Sequence, residues 1–186
     1  MAGRRKRGWL VIASVAGTLG VLAVAGLIVI YSGSYEVAAS ARHGGVARWL
    51  LETAMENSVR ARASGLEPPA RFAAADIAAG GRHYRDVCQH CHGGPGVRRD
   101  EWAEGLNPAP PDLAERAAEW RPGELFWIVK HGIRMTGMPA VGAGHGDRDI
   151  WNIVAFVERL PGMSAAQYRA EAGADEPDDG HSGHTH

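Results

Sequence analysis

Cysteine is scarce: Cys88 and Cys91 are the only two in 186 residues, so no disulfide framework can staple this chain. A four-ligand zinc site would need further ligands at suitable spacing, and none is evident beside the pair. The βαβ surroundings that a thioredoxin-like redox pair requires are missing as well. Positive charge is equally short once one cluster is set aside. The formal net charge is -1, but Arg4, Arg5, Lys6 and Arg7 supply four of the 20 basic residues, which leaves sixteen against 21 acidic ones. Without clustered positive charge on the folded part, no nucleic-acid partner is expected.

Between Trp9 and Tyr31 charge is lacking altogether, and Leu, Val, Ile, Ala and Gly fill the run. As a helix at about 1.5 Å per residue it reaches roughly 33 Å, enough for the hydrocarbon core of a bilayer. Trp9 and Tyr31 stand at its ends, where interfacial aromatics prefer to lie. Residues 1–8 then form a basic cytoplasmic segment and residues 9–31 a transmembrane anchor, with the C-terminal bulk across the membrane. A cleaved signal peptide processed at Ala39-Ser40-Ala41 is the competing reading. Its apolar region would exceed the usual 7 to 15 or so residues, and the cleavage site lies well beyond the end of that region. Ala13/Gly17 and Ala16/Gly20 are small-xxx-small pairs that would seat a neighbouring helix, although such pairs also arise by accident in a Gly/Ala-rich span.

What is present turns on Cys88-Gln89-His90-Cys91-His92, the pattern of a c-type haem attachment site. Two thiols three positions apart can each add to a vinyl group of one porphyrin, and the adjacent imidazole of His92 can ligate its iron. The expected cofactor is one covalent haem c. His90 is a spacer, expected to face solvent.

Residues 32–75 read as a linker. Within it, 46–63 is free of Gly and Pro and places Trp49, Leu51, Met55 and Val59 near helical spacing, so an amphipathic helix is expected that packs on the following domain, docks a partner or lies on the membrane. Gly65 and Pro68-Pro69 end it. Asp76 caps a helix through Val87; Asp112 to Trp120 and Gly123 to His131 are further helical segments; Asp147 caps a last amphipathic helix to Leu160. Leu125, Phe126, Ile128 and Val129 form one wall of a crevice. A ligating imidazole usually donates its other N–H to a carbonyl, and Pro108 or Pro110 is the expected acceptor unless these prolines only stiffen the turn. Residues 163–186 are polar and acidic, too poor in apolar groups to fold, with His181, His184 and His186 as weak metal-capture candidates or a solvated terminus.

Gly80 and Tyr84 ahead of the haem motif, a Pro-containing loop, Thr136-Gly137-Met138-Pro139-Ala140, and a terminal helix with Trp151 and Phe156 together resemble a small class I cytochrome c domain. The likeness covers about half the chain and frames a domain at 76–162. It implies an all-α fold, here preceded by one transmembrane helix and an amphipathic linker helix, with the first and last helices crossing near Gly80. It also implies Met138 sulfur as the sixth iron ligand. Met135 is a rival of equal ligand chemistry, and His83, His131 and His145 are further alternatives within the domain.

His/Met ligation fills both axial positions and raises the reduction potential, so the expected work is single-electron transfer rather than catalysis. Phe126, Trp127, Ile128 and Val154 would exclude water, and Arg98, Arg99, Lys130 and Arg134 would steer a redox partner protein. The resulting expectation is a carrier anchored in a bacterial inner membrane, its haem domain in the periplasm, serving a respiratory or dehydrogenase chain through a membrane oxidoreductase complex. The alternatives are a haem sensor or haem enzyme with an open sixth site, and an assembly subunit that recruits a partner through helix 46–63.

Overall fold

The computed structural model of the protein describes residues 2–173, in two compact units divided between Ala41 and Arg42. The side chains of Arg4 and Arg5 and the histidines His181, His184 and His186 lie outside the described residues.

The first unit is built on α1 (Ala2–Ser32). Its stretch Lys6–Ser32 is long and apolar enough to cross a membrane, with a mean hydropathy of 2.3 over its best window. Trp9, Tyr31 and the aliphatic side chains between them are exposed.

The second unit is built of helices joined by loops, with no strand among its described residues beyond one isolated bridge between Gly94 and Val97. In chain order come α2 (Gly45–Arg62), α3 (Ala74–His83), α4 (Gln89–His92), α5 (Glu101–Glu104), α6 (Leu113–Arg116), α7 (Pro122–His131), α8 (Asp147–Val157) and α9 (Ala165–Ala172). Helices α3 and α8 cross face to face. A methyl group on Gly80 would sit 1.9 Å from the Asn152 carbonyl oxygen, so only glycine permits the approach. Around the crossing, Tyr84, Ile150, Ile153, Val154, Phe156 and Leu160 are fully buried. Phe126 of α7 stacks on Trp151 of α8 with ring centroids 4.3 Å apart.

Local chemistry explains the helix ends, with shifts from expectation. Asp76 is not the cap of α3 but lies in its first turn, where its carboxylate accepts the backbone N–H of Ala73 at 3.1 Å and bonds Arg148 at 2.9 Å. Asp147 likewise opens α8 one residue inside Gly146 and pairs with Lys130. Pro122 starts α7, and the buried Glu124 accepts from the backbone and guanidinium of Arg121. Helix α2 belongs with the second unit. Val59 and Ala63 at its C-terminal end are buried, Arg60 lies over the Trp120 ring, and the Leu66 carbonyl abuts Gly123 of α7.

The expectation that everything from Ser164 onward stays unfolded is overturned over residues 164–173. Ser164 accepts the backbone N–H of Gln167 while the Gln167 amide oxygen accepts the backbone N–H of Ser164, a capping box that starts α9. Tyr168 and Ala172 are then fully buried against α3. Average polarity hid two apolar anchors four residues apart. Gly81 makes room for them, since a Cβ there would meet the Glu171 carbonyl oxygen at 2.6 Å.

Gly80→Ala should destabilise the domain by about 3 kcal/mol in a denaturant titration, whereas Gly144→Ala, with nothing within 4 Å of the added carbon, should leave it near neutral. Burial pushes the Glu124 carboxyl up, but the bonds from Arg121 outweigh it and hold the group below its ordinary value of 4.5. Its stabilisation is therefore complete above that value and is lost as pH falls through the lower folded one. Glu124→Gln should remove this part of the acid dependence of the urea midpoint.

Candidate functional site

Helix α3 does not stop at His83 but widens. Gln89 N–H reaches back five residues to the Tyr84 carbonyl, and this single broad turn over Tyr84–Cys88 delivers Cys88 to the start of α4. Wide turns of this kind recur at functional sites because they re-aim the side chains that follow. The chain then leaves α4 through Gly93 at φ +67, where a Cβ would also lie 2.8 Å from the Val97 carbonyl oxygen. A tight reversal follows, Gly94 and Val97 exchanging backbone bonds at 2.8 and 2.9 Å.

Two buried tyrosines brace this turn. Tyr84 Oη donates to the Gly93 carbonyl at 2.8 Å, and Tyr168 Oη donates to the Gln89 side-chain oxygen at 2.7 Å. Burial pushes both phenols well above the ordinary tyrosine range, so both remain donors at any physiological pH. The Tyr168 ring also lies against Gly94, where a Cβ would come within 2.6 Å. Arg85 completes the brace by donating to the Ala172 and Gly173 carbonyls at the end of α9. Sequence reasoning missed Tyr168, Gln89 and Arg85. The legible signal was Ser164 followed three residues later by Gln167, a helix start.

Cys88 and Cys91 are both free and both partly buried. Burial, reinforced by the neighbouring Cys91, pushes the Cys88 thiol up to about 12, and burial raises Cys91 as well. A dithiol exchange pair needs a depressed thiol, so these two are poor candidates for that chemistry. No group of three or more His, Cys, Asp or Glu side chains able to hold a metal ion occurs among the described residues.

His92 is oriented by a loop nineteen residues on. Its Nδ1 lies 2.9 Å from the Pro111 carbonyl oxygen, so the expected acceptor, Pro108 or Pro110, is corrected to the next proline. Pro110 instead accepts from Arg99 at 2.7 Å. A carbonyl only accepts, so Nδ1 carries the proton and Nε2 keeps its lone pair. Burial pushes the imidazole below its ordinary value and favours this neutral form. His90, by contrast, is exposed and bonded to Asp100 at 3.0 Å.

The two candidate thioethers part company. Met135 is 83% exposed at φ +62, while Met138 is half-buried and packs against the core. The Met138 backbone is pinned between Thr136 Oγ1, which accepts its N–H at 3.1 Å, and Ile133, whose N–H reaches its carbonyl at 3.3 Å. Gly137 packs on Leu106 so closely that a Cβ would meet it at 2.9 Å. The loop that orients His92 and the loop that carries Met138 therefore touch. The rival histidines are otherwise engaged: His83 and His145 meet edge to face at 5.2 Å, and His131 leans on Trp127.

Of the four cations expected to steer a partner, Arg98 is paired with Glu104, Lys130 with Asp147, and Arg99 is spent on the Pro110 carbonyl. Arg134 alone among them is simply exposed in the Met loop. Phe126 and Val154 are buried, and Trp127 and Ile128 half-buried, as lining groups of an apolar site would be. Tyr168→Phe, which removes only the bond to Gln89, should cost about 1 kcal/mol in a thermal or denaturant melt and leave the helix content unchanged.

A family model described as cytochrome C oxidase, cbb3-type, subunit III matches residues 75–157. No curated protein matches the chain. The matched residues open in the first turn of α3 and close at the end of α8, the pair that crosses at Gly80, and they contain Cys88, Cys91, His92 and Met138. Helix α9 lies beyond them. Residues 75–157 are a class I cytochrome c domain, whose work is electron transfer through haem.

Proposed function

We propose that the protein is a membrane-anchored c-type cytochrome that passes single electrons through one covalent haem. Cys88 and Cys91 would hold it through two thioethers, and His92 Nε2 and the Met138 sulfur would ligate its iron. The observation that carries this reading is the His92 ring, with Nδ1–H committed to Pro111 and Nε2 available one residue beyond the second thiol. When bound, the haem supplies an iron that cycles between ferric and ferrous states.

The chain's own residues do the rest. Tyr84 and Tyr168 hold the attachment turn rigid, so little reorganisation accompanies a change of iron charge. Pro111 fixes the imidazole plane and raises its basicity. Met138, held by Thr136 and Ile133, closes the position at which oxygen or a small ligand would otherwise bind. Phe126 and Val154 keep water from the interior, which favours the less charged reduced state.

Stretch Lys6–Ser32 supplies the anchor by length and hydropathy. Lys6 and Arg7 at its start support a cytoplasmic position for that end and a haem domain in the periplasm of a bacterial inner membrane. The description of the matching family, an oxidase subunit, supports a place beside a membrane oxidoreductase complex in a respiratory chain, as a carrier and not an enzyme.

Matured in a host that attaches c-type haem, the protein should keep its colour after acid-acetone extraction, and Cys88→Ser should weaken that retention. The ferric form should show the Met–iron charge-transfer band. Met138→Ala should abolish the band, admit CO, and lower the potential by on the order of 0.1–0.3 V, within the roughly 0.8 V that axial ligation commands. Met135→Ala should do none of this. A high-spin ferric haem that binds CO in the unaltered protein would instead make it a sensor or enzyme with an open site.

A further inference from the structure

Helix α2 is amphipathic in an unusual sense. At 100° per residue its buried pair, Val59 and Ala63, shares a side with Arg48 and Glu52, the only charged positions in the N-terminal half. Val46, Trp49 and Leu50 form a second face roughly 110° away, and they are 80%, 64% and 58% exposed. Arg48 and Glu52, though exposed, thus share the side that packs on the domain at the helix's C-terminal end, and the bare apolar face is turned away from it. Glu52 sits on the side of the buried pair, and Glu56, seven residues from Trp49 and so at the edge of the apolar face, is paired with Arg60.

The size of the face bears on what covers it. Trp49 offers about 200 Å² and the two aliphatic groups less, well short of the roughly 800 Å² per partner that a stable protein interface needs. Besides the Trp49 indole, a group that favours the membrane–water boundary, the N-terminal half of this face carries one hydrogen-bonding side chain, the half-buried Thr53, four residues from Trp49 and seven from Val46. Only the twelve residues 33–44 separate α1 from α2, about 40 Å at full extension. Tyr35 and Val37 within that segment are exposed too. A tethered face need have only weak affinity of its own, because the anchor keeps its effective concentration at the bilayer high.

We infer that the N-terminal half of α2 lies in the headgroup region of the bilayer, with Val46, Trp49 and Leu50 inserted as a second attachment point that restricts how the haem domain turns. This rests on the reading of α1 as a membrane anchor.

The test uses full-length holoprotein in phosphatidylethanolamine/phosphatidylglycerol vesicles. Both native cysteines are spent on the haem, so Val46→Cys, Leu50→Cys, Arg48→Cys, Glu52→Cys and Leu22→Cys each offer one thiol for a nitroxide. The ratio of oxygen to aqueous nickel-chelate collisions should be several-fold higher at 46 and 50 than at 48 and 52. Equal ratios overturn the inference, as does shielding of 46 and 50 from both reagents, which would mark a protein interface or a second copy of this chain. The label at 22 reports on α1 separately. Lipid exposure at 22 with water at 50 sinks this inference alone, water at both sinks the anchor as well, and lipid at 50 with water at 22 removes the anchor and with it the second attachment point inferred here.

Discussion

The contact on which the domain depends is the crossing of α3 and α8 at Gly80, where a carbonyl of one helix occupies the space a methyl group would need on the other. Such an approach brings two backbones together without intervening side chains and lets Tyr84, Ile153 and Phe156 close around the crossing point. Gly81 repeats the device one residue on, against α9 and the Phe156 ring. Two adjacent glycines cost helix propensity, on the order of 1 kcal/mol each, and the burial they permit offsets that cost.

From this fixed crossing the attachment turn is carried outward by one broad turn and braced from two directions. Tyr84, from the helix itself, bonds the carbonyl at which α4 ends; Tyr168, from beyond the matched family residues, bonds the side chain between the cysteine Cys88 and His90. A cofactor site built on packed helices and a saturated hydrogen-bond set moves little, which suits a site whose task is to change charge without changing shape. The Leu106–Gly137 contact extends the same rigidity to the two loops, so the loop that orients His92 and the loop that carries Met138 are not set independently.

The helical elements 45–62, 74–83, 122–131 and 147–157 were readable in the amino-acid order, since each repeats apolar residues at helical spacing and ends at Gly, Pro or a polar cap. Two starts shifted, by three residues at Asp76 and by one at Asp147, because both carboxylates act from the first turn, where they meet the helix N-terminus as well as from the cap position. The broad turn at Tyr84–Cys88 leaves no trace in periodicity over so short a span. Helix α9 escaped because its burial rests on Tyr168 and Ala172 alone, and the moment of such a segment is too weak to stand out from its polar surroundings.

By itself the sequence determined the chemistry that is contiguous in the chain: two thiols and an imidazole within five residues, an uncharged apolar run of membrane length, and the glycines that allow close approach. Only the tertiary structure decided which proline carbonyl takes the His92 proton, which of two methionines turns inward, and which side of α2 is left bare. The reason is geometric. Contiguous residues are placed by fixed bond lengths and helical pitch, whereas partners nineteen or seventy-nine residues apart meet only when loop register and helix packing have been settled together.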